Sequence, residues 1–538
     1  MASRKKARGT TPAGRRSHTD AEFGAGIGAF LRRLAGIFVM LILTVHPLII
    51  GKDSYYGLEK VKLYFFWSVA TCFLVITGVI LLIRRWLDPG YMRFWGFPTL
   101  FSSLRPYEWA GLLFFLALIV STILSDNPET ALRGATDRNE GLFTWSLYIF
   151  SALAVGRFYK PKERDFLFFI SAAALVAGYG ICQFYGLDFL SLEIPEYSSS
   201  GPYMTFVSTM SNNNVASAYF GLAASASLVL FSRMEKRSHI IFLPLGGIIF
   251  YMMILGGARS GYVGLAAAFT LSLPFIAGNK KSAARLLWGF AAFAVLWRIA
   301  QAVFDYKATT LGWSQDYQHL GFTRPFLLPA AGIIAAVGAA LWFVKSLPEG
   351  DFPKKPYRAG WLLLTAAVVA AGVISVPILA EKTGDGNLTQ LSEMIKGNFD
   401  DSFASNRVFI WRRGLALWRE KPITGHGPDN FALGFRERFG DETNAFMGVT
   451  VDKAHNEYLQ VLVDAGILGL LGQLLFYFLI FWGIRGRQKD RLSAAAAVAM
   501  VFYMTQAFFN FSSLFANPVA WTMWGVLGSC YSRVKSPK

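Results

Sequence analysis

The run Lys453-Ala454-His455-Asn456-Glu457-Tyr458 closes a long polar stretch and leads within a turn into an apolar segment. His455 is therefore expected at a membrane surface, beside a helix N-terminus. Such a terminus carries about half a positive charge and unpaired backbone N–H groups, which stabilise anions and favour neutral imidazole over imidazolium. A neutral histidine can act as a base, or it can merely cap the helix. Residue type alone favours the cap, so the neighbours must decide. Arg259 lies in Gly256-Gly257-Ala258-Arg259-Ser260-Gly261, where small residues let a phosphate approach the backbone. Arg407 opens a predicted loop helix. Arg298 sits inside an apolar run, where an ionised side chain is costly unless it snorkels or meets an anion, and the two readings weigh equally. A guanidinium offers a planar fork matched to phosphate oxygens, so arginines converging on a histidine suit a diphosphate head group.

Other signals are weaker. Asn212-Asn213-Asn214 reads as a solvated helix cap or, through Asn213 and Asn214, as a contact to a sugar; Asn456 and Tyr458 beside His455 are further candidates for glycan contact. No two of the six histidines stand four residues apart, and neither His46 nor His426 has a partner at ligand spacing, so no metal site is expected. No cofactor is expected either. A Walker-type loop is absent, which excludes a nucleotide-driven pump within this chain.

The elements that must position these residues follow from composition. Of 538 residues 54% are hydrophobic and only 16% charged, against about a quarter charged in ordinary soluble domains. The chain reads as an all-α polytopic membrane protein of about 12–14 transmembrane helices, each needing about 20 apolar residues. The spans fall near 34–50, 61–83, 107–124, 141–156, 166–185, 213–232, 239–255, 260–277, 286–304, 326–345, 360–380, 457–484, 492–510 and 516–532. Alternate connections, at 84–105, 157–164, 233–237, 279–285, 345–358 and 485–491, hold most of the 52 Lys and Arg residues together with the two tails. The formal charge of +18 is thus a mark of orientation rather than of a nucleic-acid surface, with both termini cytoplasmic. Binding of anionic lipid head groups is equally compatible with it. Cys72, Cys182 and Cys530 lie far apart in apolar runs, against a disulfide framework.

The chain divides into a basic, disordered and uncleaved cytoplasmic tail (1–33), eleven spans (34–380), a large exterior loop (381–455), three spans (456–533) and a short tail (534–538). Structureless loops beyond about 15 residues are uncommon unless they bind or gate something, so the exterior loop is the expected catalytic segment. An amphipathic helix is predicted from Asn406 to Glu420. Its apolar stripe runs through Val408, Trp411, Leu415 and Trp418 along the interface, Ser405 or Asn406 caps its start, and Arg412 and Arg413 fall off the stripe.

Many spans, Gly-Ala-Arg-Ser-Gly, a long loop opening with Asn406-Arg407-Val408-Phe409-Ile410-Trp411 and closing with His455-Asn456-Glu457-Tyr458, and a histidine followed ten residues later by Gly466 together resemble the O-antigen ligase and polymerase superfamily. The similarity is strongest over 205–275 and 400–475. It implies a metal-independent glycosyltransferase of the cell inner membrane, acting on its exterior face on an undecaprenyl-diphosphate-linked glycan. In that reading His455 is the base, and Arg259, Arg407 and Arg298 bind the diphosphate. The acceptor hydroxyl is left open among lipopolysaccharide core, a growing polysaccharide and protein, which correspond to ligase, polymerase and protein oligosaccharyltransferase. The competing class is a transporter or flippase for lipid-linked sugars. No internal repeat is seen and the long loop sits on one side only, which favours the enzyme. A structural scaffold of the envelope would instead tolerate any replacement of His455.

Overall fold

The computed structural model describes residues 13–51, 54–87, 103–136, 138–192, 208–276, 278–311, 324–344, 354–384, 386–485, 490–511 and 513–531. The tail at 534–538, the start of the N-terminal tail, and much of the connections at 84–105, 186–212, 305–325, 345–358 and 485–491 lie outside the described residues. Among the described residues the chain is helical, with no strand. In order the helices are α1 (Ala13–Met40), α2 (Ser54–Leu87), α3 (Pro106–Ile123), α4 (Pro128–Arg133), α5 (Leu142–Phe158), α6 (Glu163–Phe184), α7 (Asn213–Ser232), α8 (Phe242–Gly256) and α9 (Arg259–Ile276). They continue as α10 (Lys280–Leu311), α11 (Arg324–Phe343), α12 (Lys354–Thr383), α13 (Gly386–Ile395), α14 (Phe403–Glu420), α15 (Phe431–Met447), α16 (Glu457–Ile484), α17 (Arg491–Ala507) and α18 (Asn517–Ser529). A π-helical turn, Leu41–Val45, extends α1, whose start at Ala13 lies within the segment expected to be a disordered tail.

The protein is an all-α polytopic membrane protein. Helices occupy each of the expected spans, but among the described residues eight helical stretches are both long and apolar enough to cross a bilayer, from Gly26–Leu48 to Glu457–Ile484. Leu142–Phe158 and Leu327–Phe343 are apolar but shorter. The 13 residues of α18 reach about 20 Å at about 1.5 Å per residue, less than a hydrocarbon core of about 30 Å. Its hydropathy has another source: Trp521 and Trp524 are fully buried against Phe476 and Tyr477 of α16. A hydropathy window does not distinguish a helix covered by lipid from one covered by protein.

Small residues set the packing, as expected where helices gain little from leaving lipid. The spanning part of α7 is wholly buried, and α6, α8, α9, α10 and α17 pack around it. A Cβ on Gly221 would lie 1.7 Å from the Phe502 ring, so only glycine admits α17 there. On the other flank α16 packs on α3 and α18 on α5.

The long loop folds into a small helical unit on α16. Phe409, Ile410 and Leu417 of α14, Phe431 and Phe435 of α15, and Ala454, Leu459 and Val463 form a second apolar core. This corrects two expectations about α14. Its buried face runs through Val408, Phe409, Ile410, Gly414 and Leu417, whereas Leu415 is exposed, because the helix packs on protein rather than lying along the interface. Neither Ser405 nor Asn406 caps it; Ala404, Ser405 and Asn406 all adopt left-handed backbone angles and turn the chain into the helix at Arg407.

Candidate active site

His455 sits at the mouth of α16 in a left-handed conformation (φ 49°), between rigid neighbours. Asn456 caps α16, its side-chain oxygen accepting from the Leu459 N–H at 3.0 Å. The Ala454 N–H donates to Gln460 Oε1 at 3.0 Å, and the Ala454 carbonyl accepts from the Trp411 indole at 3.0 Å. Lys453 is buried, its ammonium 2.8 Å from Asp429 and 3.3 Å from Glu140. Burial opposes that charge, but Asp429 and Glu140 together hold its pKa above the usual lysine range. The imidazole meets Phe511 edge to face, with ring centroids 5.1 Å apart, and its Nδ1 is buried without a hydrogen-bond partner.

The cations arrive from separate elements. One turn of α14 separates Arg407 from Trp411, so the helix that clamps Ala454 also delivers a guanidinium beside the imidazole. Arg407 donates to the Ala404 carbonyl at 2.9 Å, while its Nε is buried without a partner. Burial and the charge of Arg259 lower its pKa. Arg259 is exposed at the start of α9, after the left-handed Gly257 ends α8. A Cβ on Gly261 would lie 2.1 Å from Ser217 Oγ, which explains the glycine that lets α9 close on α7. A further arginine, Arg138, pairs with Asp452 and stands 5.8 Å from the Phe511 ring centre. Burial, then Arg407 and Arg138, depress the pKa of His455 from its usual 6.5 to about 4. The imidazole is therefore neutral at physiological pH, first through desolvation and then through two guanidinium charges.

The remaining sequence candidates divide. Asn213 has a buried, unpartnered Oδ1 at the α7 start beside Gly256. The backbone of Asn214 is engaged by Asn212, Gln506 and Asn510. Asn456 is the α16 cap, and the Tyr458 hydroxyl donates to the Met504 carbonyl at 2.7 Å. Arg298 lies on α10 with a buried, unpartnered Nη1, and no described interaction joins it to His455, Arg407 or Arg259. Arg412 and Arg413 both pair with Asp401, away from the histidine.

Gly466 explains the spacing from His455. Its angles (φ 66°, ψ −171°) break α16, and the break receives the 422–427 turn backbone to backbone. The N–H groups of His426 and Gly427 donate to Val463 and Asp464, and that of Ile467 to Pro422. This backbone region is essentially restricted to glycine, and a Cβ here would lie 2.1 Å from the Ile423 carbonyl. Gly466→Ala is expected to cost about 1–3 kcal/mol from backbone strain alone, before that clash is relieved. Limited proteolysis should then cut within 421–430 at a protease dose that leaves the wild type intact.

Sequence reasoning missed Arg138, Lys453, Glu140 and Asp429. Arg138 and Glu140 lie in a charged turn just before α5, and Lys453 is two residues from His455, so proximity to elements already singled out was the available signal. Asp429 carried none. It joins the site because its left-handed turn puts one carboxylate oxygen on Lys453 and the other on the N–H groups of Ala135 and Glu140.

Fold and site together define a polytopic membrane protein in which a desolvated histidine and several arginines from distant elements converge beside a helix start. Residues 327–474 match the family described as O-antigen ligase, which supports the O-antigen ligase and polymerase superfamily and a glycosyltransferase-type function. The match includes Arg407, His455 and Gly466; Arg259 lies outside it. No curated protein matches the chain.

Proposed function

We propose that the protein transfers a glycan from undecaprenyl diphosphate to an acceptor hydroxyl on the exterior face of the cell inner membrane. The observation that carries this reading is the neutral imidazole of His455, with an unpartnered nitrogen, within reach of the Arg407 charge, which in turn feels that of Arg259. The donor diphosphate lies across Arg407 and Arg259, which have no carboxylate partner among their described contacts. His455 removes the proton from the acceptor hydroxyl as its oxygen attacks the anomeric carbon. The anomeric carbon–oxygen bond to phosphate breaks, its electron pair leaves with undecaprenyl diphosphate, and the arginines stabilise that developing charge. A single displacement inverts the anomeric centre, and imidazolium returns its proton to water after the products leave.

Purified protein in detergent, given an undecaprenyl-diphosphate glycan and an acceptor, should form the transferred product. Detergent has no compartments, so product there cannot come from a flippase; its absence with every acceptor class would end this reading. The pH dependence is a second test. The base must be unprotonated, so activity is lost as pH falls through its pKa. Before donor binds, that pKa is about 4, and kcat/KM should hold from neutral pH down toward it. A bound diphosphate offsets the Arg407 charge and raises the pKa, so kcat should decline at a higher pH than kcat/KM does. Coincident limbs would separate the histidine from the diphosphate.

A further inference from the structure

A cavity of about 450 Å³ lies between the end of α16, the start of α17 and the last turns of α9. It is remote from His455. The 28 residues of α16 rise about 40 Å at about 1.5 Å per residue, so the helix that begins beside the histidine ends at the opposite face of the membrane. From there α17 turns back, packing far more on α7 and α9 than on α16, although it follows α16 in the chain. Ala494 and Ala497 of α17 are too small to close the gap that remains.

The groove is graded in polarity. Its inner walls are Leu271, Phe478, Phe481, Val498 and Val501, of which Leu271 and Phe478 are exposed on the outer surface of the bundle. Its polar side chains gather at one end: Arg485 closes α16, Ser493 lies in the first turn of α17, and Ser272 lies near the end of α9. Arg485 stacks on the exposed Trp482, its Cζ 3.9 Å from the ring centre. Stacking covers the face of the guanidinium and leaves its N–H edge for a ligand. Trp and Arg together mark the level of lipid head groups. Arg485 has no carboxylate partner among the described residues, whereas Arg491, at the start of α17, is taken up by Glu163 and His239. The sequence here is basic, with Arg485, Arg487, Lys489 and Arg491 against Asp490.

We infer that this groove is a binding site for an anionic phospholipid of the leaflet opposite His455, with an acyl chain between α16 and α17 and the phosphate on Arg485. Basic pockets between transmembrane helices are where anionic head groups bind, and the volume is within the range of about 300–1,000 Å³ usual for ligand sites. Charge selects the head group. A phosphodiester with an uncharged alcohol meets Arg485 without opposition, while the ammonium of phosphatidylethanolamine is repelled by it. The assignment is independent of glycan transfer, because the groove and the histidine stand at opposite ends of α16.

Native mass spectrometry of the detergent-purified full chain tests it, with equal amounts of phosphatidylglycerol and phosphatidylethanolamine carrying the same acyl chains. The wild type should hold phosphatidylglycerol over phosphatidylethanolamine by about fivefold, the effect of one arginine at a membrane surface. Arg485→Gln should bring that ratio to about one and keep the phosphatidylethanolamine adduct, since the apolar walls are unchanged. Ala497→Phe places a ring in the groove and should reduce both adducts. Arg485 is exposed, so its variant carries the test even where Ala497→Phe lowers the lipid-free thermal midpoint. Arg412→Gln and His455→Ala should each keep the wild-type ratio. Equal adducts on the wild type, or a preference that survives Arg485→Gln and so reflects the net charge of the chain, would overturn the assignment. A dimer that Ala497→Phe dissociates would overturn it too, giving the groove to a second copy of the chain.

Discussion

His455→Ala should lose transfer by about a hundred- to ten-thousandfold in kcat, the usual contribution of a positioned general base. Donor binding should survive, because the proposed mechanism assigns the diphosphate to Arg407 and Arg259 rather than to the imidazole. The neighbourhood makes the substitution informative. Ala454 is fixed by Trp411 and Gln460, Lys453 by Asp429 and Glu140, and Asn456 by its cap, so none of these restraints passes through the histidine side chain. His455→Gln separates the two roles open to the residue, since glutamine can still hydrogen-bond but cannot accept a proton at neutral pH. Single-turnover transfer with preloaded donor is the measurement. If the glutamine variant transfers at close to the wild-type rate, His455 positions the substrate and the base lies elsewhere.

Arg407→Lys and Arg259→Lys should each reduce transfer by about a hundredfold, the lower end of what losing one preorganised donor costs, although the net charge is unchanged. Lysine supplies a point charge where arginine supplies a planar fork for two phosphate oxygens. The larger effect is expected at Arg407, which is partly buried, has an unpartnered Nε and acts by its charge on the imidazole, whereas Arg259 is exposed. Arg412→Lys and Arg413→Lys serve as controls on the same helix, because both guanidinium groups already contact Asp401. Isothermal titration with farnesyl diphosphate, alongside the transfer rate, distinguishes a lost clamp from a lost reaction. Unchanged binding and turnover in both site variants would remove the diphosphate clamp. Equal losses in the controls would point to a general effect on the loop unit instead.

The apolar runs determine by themselves that the chain is an all-α membrane protein, since a stretch of about 20 apolar residues has few other places to go. The residues flanking the two ends of the long loop were legible for a similar local reason: Arg407 opens a helix and His455 precedes one, and the position of each is set within a turn of sequence. Which of the apolar helices are long enough to cross was not legible, because Trp521 and Trp524 are covered by protein and read the same as residues covered by lipid. The direction of α14 was likewise mistaken by a fraction of a turn, its face being chosen by Phe431, Phe435 and Leu459 rather than by an interface. Only the tertiary structure brings Arg138 and Glu140 across more than 300 residues of sequence to Asp452 and Lys453. A buried ion pair is specified by where two backbones meet, and no periodicity or spacing in one segment carries that information. The same holds for the depressed pKa of His455, which arises from desolvation and from guanidinium groups on two other segments, and for Gly466, whose requirement for glycine comes from a carbonyl at Ile423 that only the folded turn places there.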